Sequence, residues 1–182
     1  MTSTRHSTPD YLDAARDSIL AVGWRRTTLT DVARRAGVSR MTIYRRWRDM
    51  QSLLADLLVR EWGAHLDDVL DGGVAEGAAT VVRRLRDDEL FRRIVEVDPD
   101  LLLPYLLERR GRNQDRLLEL LTAALTEGQR RGVVRVGDPG PMARTLLLAL
   151  QGFVVSHRTM SDVPAEKLDR EMTELVERYL RP

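Results

Sequence analysis

Residues 39–48 read SRMTIYRRWR. Four guanidinium groups, from Arg40, Arg45, Arg46 and Arg48, stand among the hydroxyls of Ser39, Thr42 and Tyr44 and the thioether of Met41. A guanidinium offers a fixed fork of donors that matches paired acceptor atoms. The chemistry available here is therefore recognition of an acceptor-rich surface rather than bond making. The surrounding charge agrees: residues 24–48 hold eight arginines against Asp31 alone, a balance of +7, although the whole chain carries only +1. Residues 1–62 are at +4 and residues 63–182 at −3. A basic front on a mildly acidic body is expected where one end meets a polyanion; a solvated charged face is the other reading.

Catalytic chemistry finds no comparable cluster. His6, His65 and His157 are isolated, and no His-Glu-x-x-His, phosphate loop or nucleophile elbow occurs. The pairs Asp67-Asp68 and Asp87-Asp88 are adjacent, so their carboxylates diverge on a helix. Cysteine is absent, which removes disulfides and thiolate metal sites. The chain is expected not to be an enzyme and to need neither metal nor cofactor. Its longest apolar runs, such as Leu146–Leu150, are too short to span a bilayer, and MTSTRHSTPD lacks the apolar stretch of a signal peptide. A cytoplasmic protein with no membrane partner is expected.

The elements that must position the arginines follow from local signals. Strand alternation is missing, so the fold class is all-α. Thr8 and Pro9 suit the start of a first helix, which Gly23 stops. Thr28 caps a second helix, with Asp31 three places on as in a capping box, and Leu29, Val32, Ala33 and Ala36 form its buried stripe. Gly37 stands where a left-handed C-terminal residue is needed. Ser39 caps a third helix ending near Trp47, and Asp49 caps a fourth with Leu53, Leu54, Leu57 and Leu58 on its apolar side. Gly72-Gly73 marks a break. Residues 74–97 read as one amphipathic stretch, Asp98-Pro99 turns the chain, and residues 101–107, 113–131, 141–160 and 164–180 read as further helices. The expected domains are 1–60, a three-helix head, and 61–182, a larger helical body.

Two helices joined by a tight turn at glycine, the second one basic, describe a helix-turn-helix. Ala33 and Ala36 allow close approach, Val38 tucks beneath the turn and Ile43 anchors the third helix. Arg40, Met41, Thr42, Tyr44, Arg45 and Arg46 are then expected to face outward. Such a helix fits the DNA major groove, where an arginine grips guanine through two hydrogen bonds. Tyr44 suits a phosphate, a thymine methyl or partial packing. Met41 suits a thymine methyl or a gap, and Arg48 a phosphate or solvent. Thr28 and the amides that open the second helix suit a phosphate. Trp47 is expected in the core against the first helix, and Trp24 and Trp62 in the core or an interface.

These residues resemble the tetracycline-repressor (TetR) family over roughly positions 10–62. The resemblance rests on Gly23, on TLTDVARRAGVSRMTIYRRW at 28–47 and on Leu53-Leu54. It departs where Arg46 replaces a histidine or tyrosine, Trp47 a phenylalanine, and Met50 a lysine that approaches a phosphate. The resemblance implies a DNA-binding transcriptional regulator, most often a ligand-responsive repressor that binds a palindromic double-stranded operator as a homodimer. The dimer would pair residues 141–160 and 164–180, whose Met142, Leu146, Leu147, Leu150, Phe153 and Val154 outnumber what one side of a lone helix buries. A small apolar or amphipathic effector would meet Phe91, Leu102, Tyr105, Leu106, Leu121, Phe153 and His157. The rival reading is a helix-turn-helix module that binds protein and no longer DNA, for which Met50 speaks.

Overall fold

The computed structural model describes residues 8–66 and 73–182, with side chains from Tyr11 onward. The capping reading of Thr8 and Pro9, and the readings made of His6, Asp67-Asp68 and Gly72, fall outside what is described. Among the described residues every regular element is helical: α1 (Thr8–Val22), α2 (Leu29–Arg35), α3 (Arg40–Tyr44), α4 (Met50–Gly63), α5 (Val74–Asp87), α6 (Glu89–Val97), α7 (Leu103–Leu107), α8 (Arg112–Arg130), α9 (Pro139–Ser156) and α10 (Ala165–Leu180). Single 3₁₀ turns follow several of them, including Trp24–Arg26 and Pro99–Leu101.

The helices gather into two compact units. One holds residues up to Glu61 together with Asp88–Gly111; the other holds Trp62–Asp87 and Arg112–Pro182. The segment 88–111, which the sequence reading groups with the body, thus packs with the helix-turn-helix. The boundary between the two groupings falls at Asp88. This residue is not a second outward carboxylate on one long helix; it caps α6, its Oδ1 accepting the Phe91 amide at 2.7 Å. The stretch read as one element over 74–97 is therefore two helices.

In the first unit α1 packs on α2 and α6, and α2 on α3. Leu12, Ala15, Ile19, Leu29, Val32, Ala33, Ile43, Trp47, Leu53 and Leu57 are all buried. Charged groups tie its helices at the rim: Arg16 reaches Glu61 at 3.1 Å and Glu89 at 2.9 Å, and Arg60 reaches Asp13 at 2.8 Å. In the second unit α8 packs on α9, and α5 on α9 and α10. Leu118, Leu121, Leu125, Met142, Leu146 and Val176 are part of its core. A buried ion pair lies inside that unit. Arg86 of α5 donates from Nη2 to both carboxylate oxygens of Asp169 on α10, at 2.6 and 2.7 Å, and the two side chains are 7% and 11% exposed. The other terminal nitrogen, Nη1, is buried without a hydrogen-bond partner among the described residues.

Met142, Leu146, Leu147, Leu150 and Val154 are buried within the second unit, so they do not form an outward apolar face on α9. Leu148, 70% exposed, does face outward, with Thr145 and Gly152 beside it at helical spacing.

Candidate nucleic-acid interface

Local chemistry builds the helix-turn-helix. The Thr28 hydroxyl accepts the Asp31 amide at 3.2 Å, while an Asp31 carboxylate oxygen accepts the Thr28 amide at 3.1 Å and its hydroxyl at 2.6 Å, a complete capping box. Those bonds from Thr28, followed by the nearby Arg34, hold the Asp31 carboxyl below the usual aspartate range. Gly37 closes α2 at φ 67°, in the left-handed region that a side chain disfavours. The Val38 amide reaches the Ala33 carbonyl at 3.0 Å and the Gly37 amide that of Arg34 at 3.2 Å, a Schellman closure. Ser39 then caps α3 through the Thr42 amide, and its hydroxyl lies 3.0 Å from that of Thr42. Regular helix ends at Tyr44, and the Arg46 and Trp47 amides carry one tighter turn back to the Ile43 carbonyl.

Ile43 is fully buried and Trp47 is 2% exposed. The Trp47 ring meets Tyr11 of α1 edge-on at 6.2 Å, and its Nε1 donates to Asp56 at 2.8 Å. This indole is a structural bolt, and it leaves the opposite side of α3 free. Met41 is 60% and Tyr44 46% exposed; Arg40, Arg45, Arg46 and Arg48 are exposed too.

The eight arginines that make the +7 patch are not equivalent. Arg25 turns to Asp98 and Asp100, Arg26 to the Val22 carbonyl, Arg34 to Asp31 and Arg35 to Asp17. Arg48 pairs with Asp49 at 3.0 Å, and Arg46 lies over the Trp47 ring at 5.7 Å. Arg45 makes one long bond, 3.4 Å, to the Met41 carbonyl. Arg40 has no hydrogen-bond or ion-pair partner among the described residues. Arg40 and Arg45, a turn and a half apart on one short helix, are thus the donors most open to an outside acceptor. Thr28, Ser39 and Thr42 are nearby, but their hydroxyls already serve the caps. Met50 opens α4 half-buried.

The residues expected to meet an effector divide between the units. Phe91 and Leu102 are buried in the first, where Tyr105 is half-buried under the Arg109 guanidinium and Leu106 is exposed. Leu121 belongs to the core of the second. Phe153 and His157 are half-buried there, the His157 ring Nδ1 lying 3.0 Å from the Val154 carbonyl. A groove of about 550 Å³ in the second unit is lined by other residues, among them Val74, Ala124, Gly128, Val134 and Leu180.

Known proteins share this arrangement. The family model for bacterial regulatory proteins of the tetR family matches residues 12–57, which span α1 through most of α4. An uncharacterised HTH-type transcriptional regulator of Mycobacterium bovis is 38% identical over 175 residues, covering 93% of this chain and 92% of its own. The chain belongs to the TetR family. As a TetR-family protein it is a transcriptional regulator with a helix-turn-helix DNA-binding head. Among solved structures, the TetR-family repressor AlkX from a Dietzia strain, implicated in n-alkane biodegradation, has a TM-score of 0.68 at 23% identity and covers 97% of each chain. FadR from Bacillus subtilis, solved in complex with stearoyl-CoA, has a TM-score of 0.63 at 19% identity and covers 96% of this chain and 100% of its own. Both likenesses are of fold.

Proposed function

We propose that this TetR-family regulator is a ligand-responsive repressor that binds a palindromic operator as a homodimer in the cytoplasm. The observation that carries the DNA half of the reading is the outward face of α3, where Arg40 has no partner among the described residues and Arg45 only one long bond, while Ile43 and Trp47 fix the helix from behind. Arg40, Met41, Tyr44 and Arg45 meet base edges, and arginine directs the reading toward guanine. Arg46, Arg48, Thr28, Ser39 and Thr42 lie along the flanks, where phosphates pass. The operator half-sites would lie about 34–36 Å apart, or a multiple of that.

The dimer reading is supported by α9, where Arg144 is the one charged residue in 18 and Leu148 stands in solvent beside Thr145 and Gly152. Leu175 of α10, 48% exposed, offers a second apolar contact. The effector reading places a small apolar or amphipathic molecule against the side chains that stay reachable, Tyr105 and Leu106 in the first unit or Phe153 and His157 in the second. Phe91, Leu102 and Leu121 would serve as packing behind such a site. Stearoyl-CoA, the compound bound to the B. subtilis FadR, is a reasonable first probe.

The test is selection of bound duplexes from a random pool, followed by binding measured across a salt series. DNA binding predicts a symmetric consensus containing guanine and an affinity that falls linearly on a log–log plot against salt. A chain that enriched no duplex, or whose retention ignored salt, would instead fit the protein-binding module that Met50 suggests.

A further inference from the structure

We propose that Asp98 is a positioning residue for the DNA-binding helices, holding the Trp24 amide and thereby setting where α2 begins. The proposal rests on the reading of α3 as the DNA-facing helix.

Asp98 closes α6 and is 3% exposed. Its own backbone is fixed, the amide donating to the Ile94 carbonyl at 2.9 Å and the carbonyl accepting the Leu101 amide at 3.0 Å. Its Oδ2 accepts the Trp24 amide at 2.7 Å, across 74 residues of sequence. Its Oδ1 lies 3.6 Å from Arg25 Nε, and the far end of Arg25 pairs with Asp100. Gly23 completes the seat. It is buried at φ 85°, and a Cβ there would stand 3.1 Å from both Asp98 Oδ2 and Val97 Cγ1. Three consecutive residues, 23 to 25, thus rest on 97, 98 and 100.

The seat leads directly to the recognition apparatus. The Trp24 carbonyl accepts the Thr27 amide at 3.0 Å, and the buried Thr27 hydroxyl returns to the Gly23 carbonyl at 2.8 Å. The next residue is Thr28, the cap of α2. Seven residues in α2 and five in α3 are too few to hold their own place, since helices this short form only with outside support. Their cores of Val32, Ala33 and Ile43 fix them from beneath, and the turn Trp24–Arg26 fixes them at the entrance. A carboxylate from segment 88–111 is what locks that entrance.

The test uses the full chain and the duplex that the wild type selects from a random pool. Affinity is measured for Asp98→Ala, Asp98→Asn and Gly23→Ala, at a temperature where circular dichroism shows each fully folded, across a salt series. Asp98→Ala leaves the Trp24 amide without its acceptor and is expected to weaken binding about tenfold. The salt slope should not change, because no phosphate contact is lost. Asp98→Asn keeps an acceptor oxygen and should stay within about twofold of wild type. Gly23→Ala should behave like Asp98→Ala. Hydrogen exchange at the Trp24 amide should quicken in Asp98→Ala and not in Asp98→Asn. A residue that served stability alone would leave the affinity of the folded variants untouched, and that result overturns the proposal. So does an Asn variant as weak as the Ala variant, or a changed salt slope. If Asp98→Ala does not fold, the Asn and Gly23 variants decide between the same outcomes. A wild type that retains no duplex fails the DNA reading itself, while the exchange comparison still reports whether Asp98 holds the Trp24 amide.

Discussion

Removing the buried pair Arg86–Asp169 in two steps should give a stability pattern that ordinary surface ion pairs cannot. Arg86→Met leaves a carboxylate only 11% exposed with neither of the bonds it now accepts from Nη2. Stripping one partner from a buried pair costs about 3–5 kcal/mol. Asp169→Leu strands the guanidinium in the same way, now with both terminal nitrogens unpartnered where Nη1 alone is today. The combined Arg86→Met/Asp169→Leu variant removes both charges and the orphaned nitrogen, whose burial costs about 1–3 kcal/mol. Apolar replacement of such a pair is often neutral or stabilising. The double variant should therefore cost less than either single one, and a cycle built from urea unfolding free energies measures the coupling directly. Equal, additive losses from the two singles would refute the reasoning, because they would mean that the groups are solvated and independent. A silent Arg86→Met would refute it too.

Arg45→Ala should reduce discrimination between the selected operator and a guanine-substituted one by about tenfold or more, whereas Arg178→Ala, on an exposed i,i+4 pair with Glu174, should leave it unchanged; competition binding reads both. Leu148→Glu should lower the apparent mass in multi-angle light scattering to that of one chain, because it puts a carboxylate in place of the exposed leucine between Thr145 and Gly152 on α9. The acid response follows from Asp31 and Asp49, the latter held below the usual aspartate range by the Ser52 amide and hydroxyl and then by Arg48. With folded values below unfolded ones, their stabilisation is complete above the ordinary aspartate range near pH 4 and is lost as pH falls through the lowered values. Melting temperature should drop over that acid window, and less steeply in a Thr28→Val/Ser52→Ala variant.

The head was legible because its signals are local. Thr28 with Asp31, Gly37, and Ser39 with Thr42 each act within four residues, and all of them stand where their residue types imply. Trp47 was legible through its place in the helix-turn-helix pattern, at a position where an aromatic packs against the first helix, and it is 2% exposed with its ring against Tyr11. The break at Asp88 was hidden because apolar spacing continues across it, so Leu90, Phe91 and Ile94 look like a continuation of Val81 and Val82. What joins distant stretches left no local trace. Nothing in DPDLL marks Asp98 as the acceptor of an amide 74 residues earlier, and Arg86 and Asp169 look like any other arginine and aspartate on an amphipathic surface. On α9 the sequence supplied the apolar count but not its division. Most of those side chains serve the fold of their own unit, and the few left outside, Leu148 above all, were not the ones singled out.

The five-residue α3 separates two duties with little overlap. Ile43 and the following Trp47 face inward and answer to packing, while Arg40, Met41, Tyr44 and Arg45 face outward and answer to whatever they touch. Drift among the outer four leaves folding largely undisturbed. If the proposed DNA reading holds, a duplicated copy of this chain is free to acquire a new address on the chromosome by exchanging a handful of side chains, with the scaffold inherited intact.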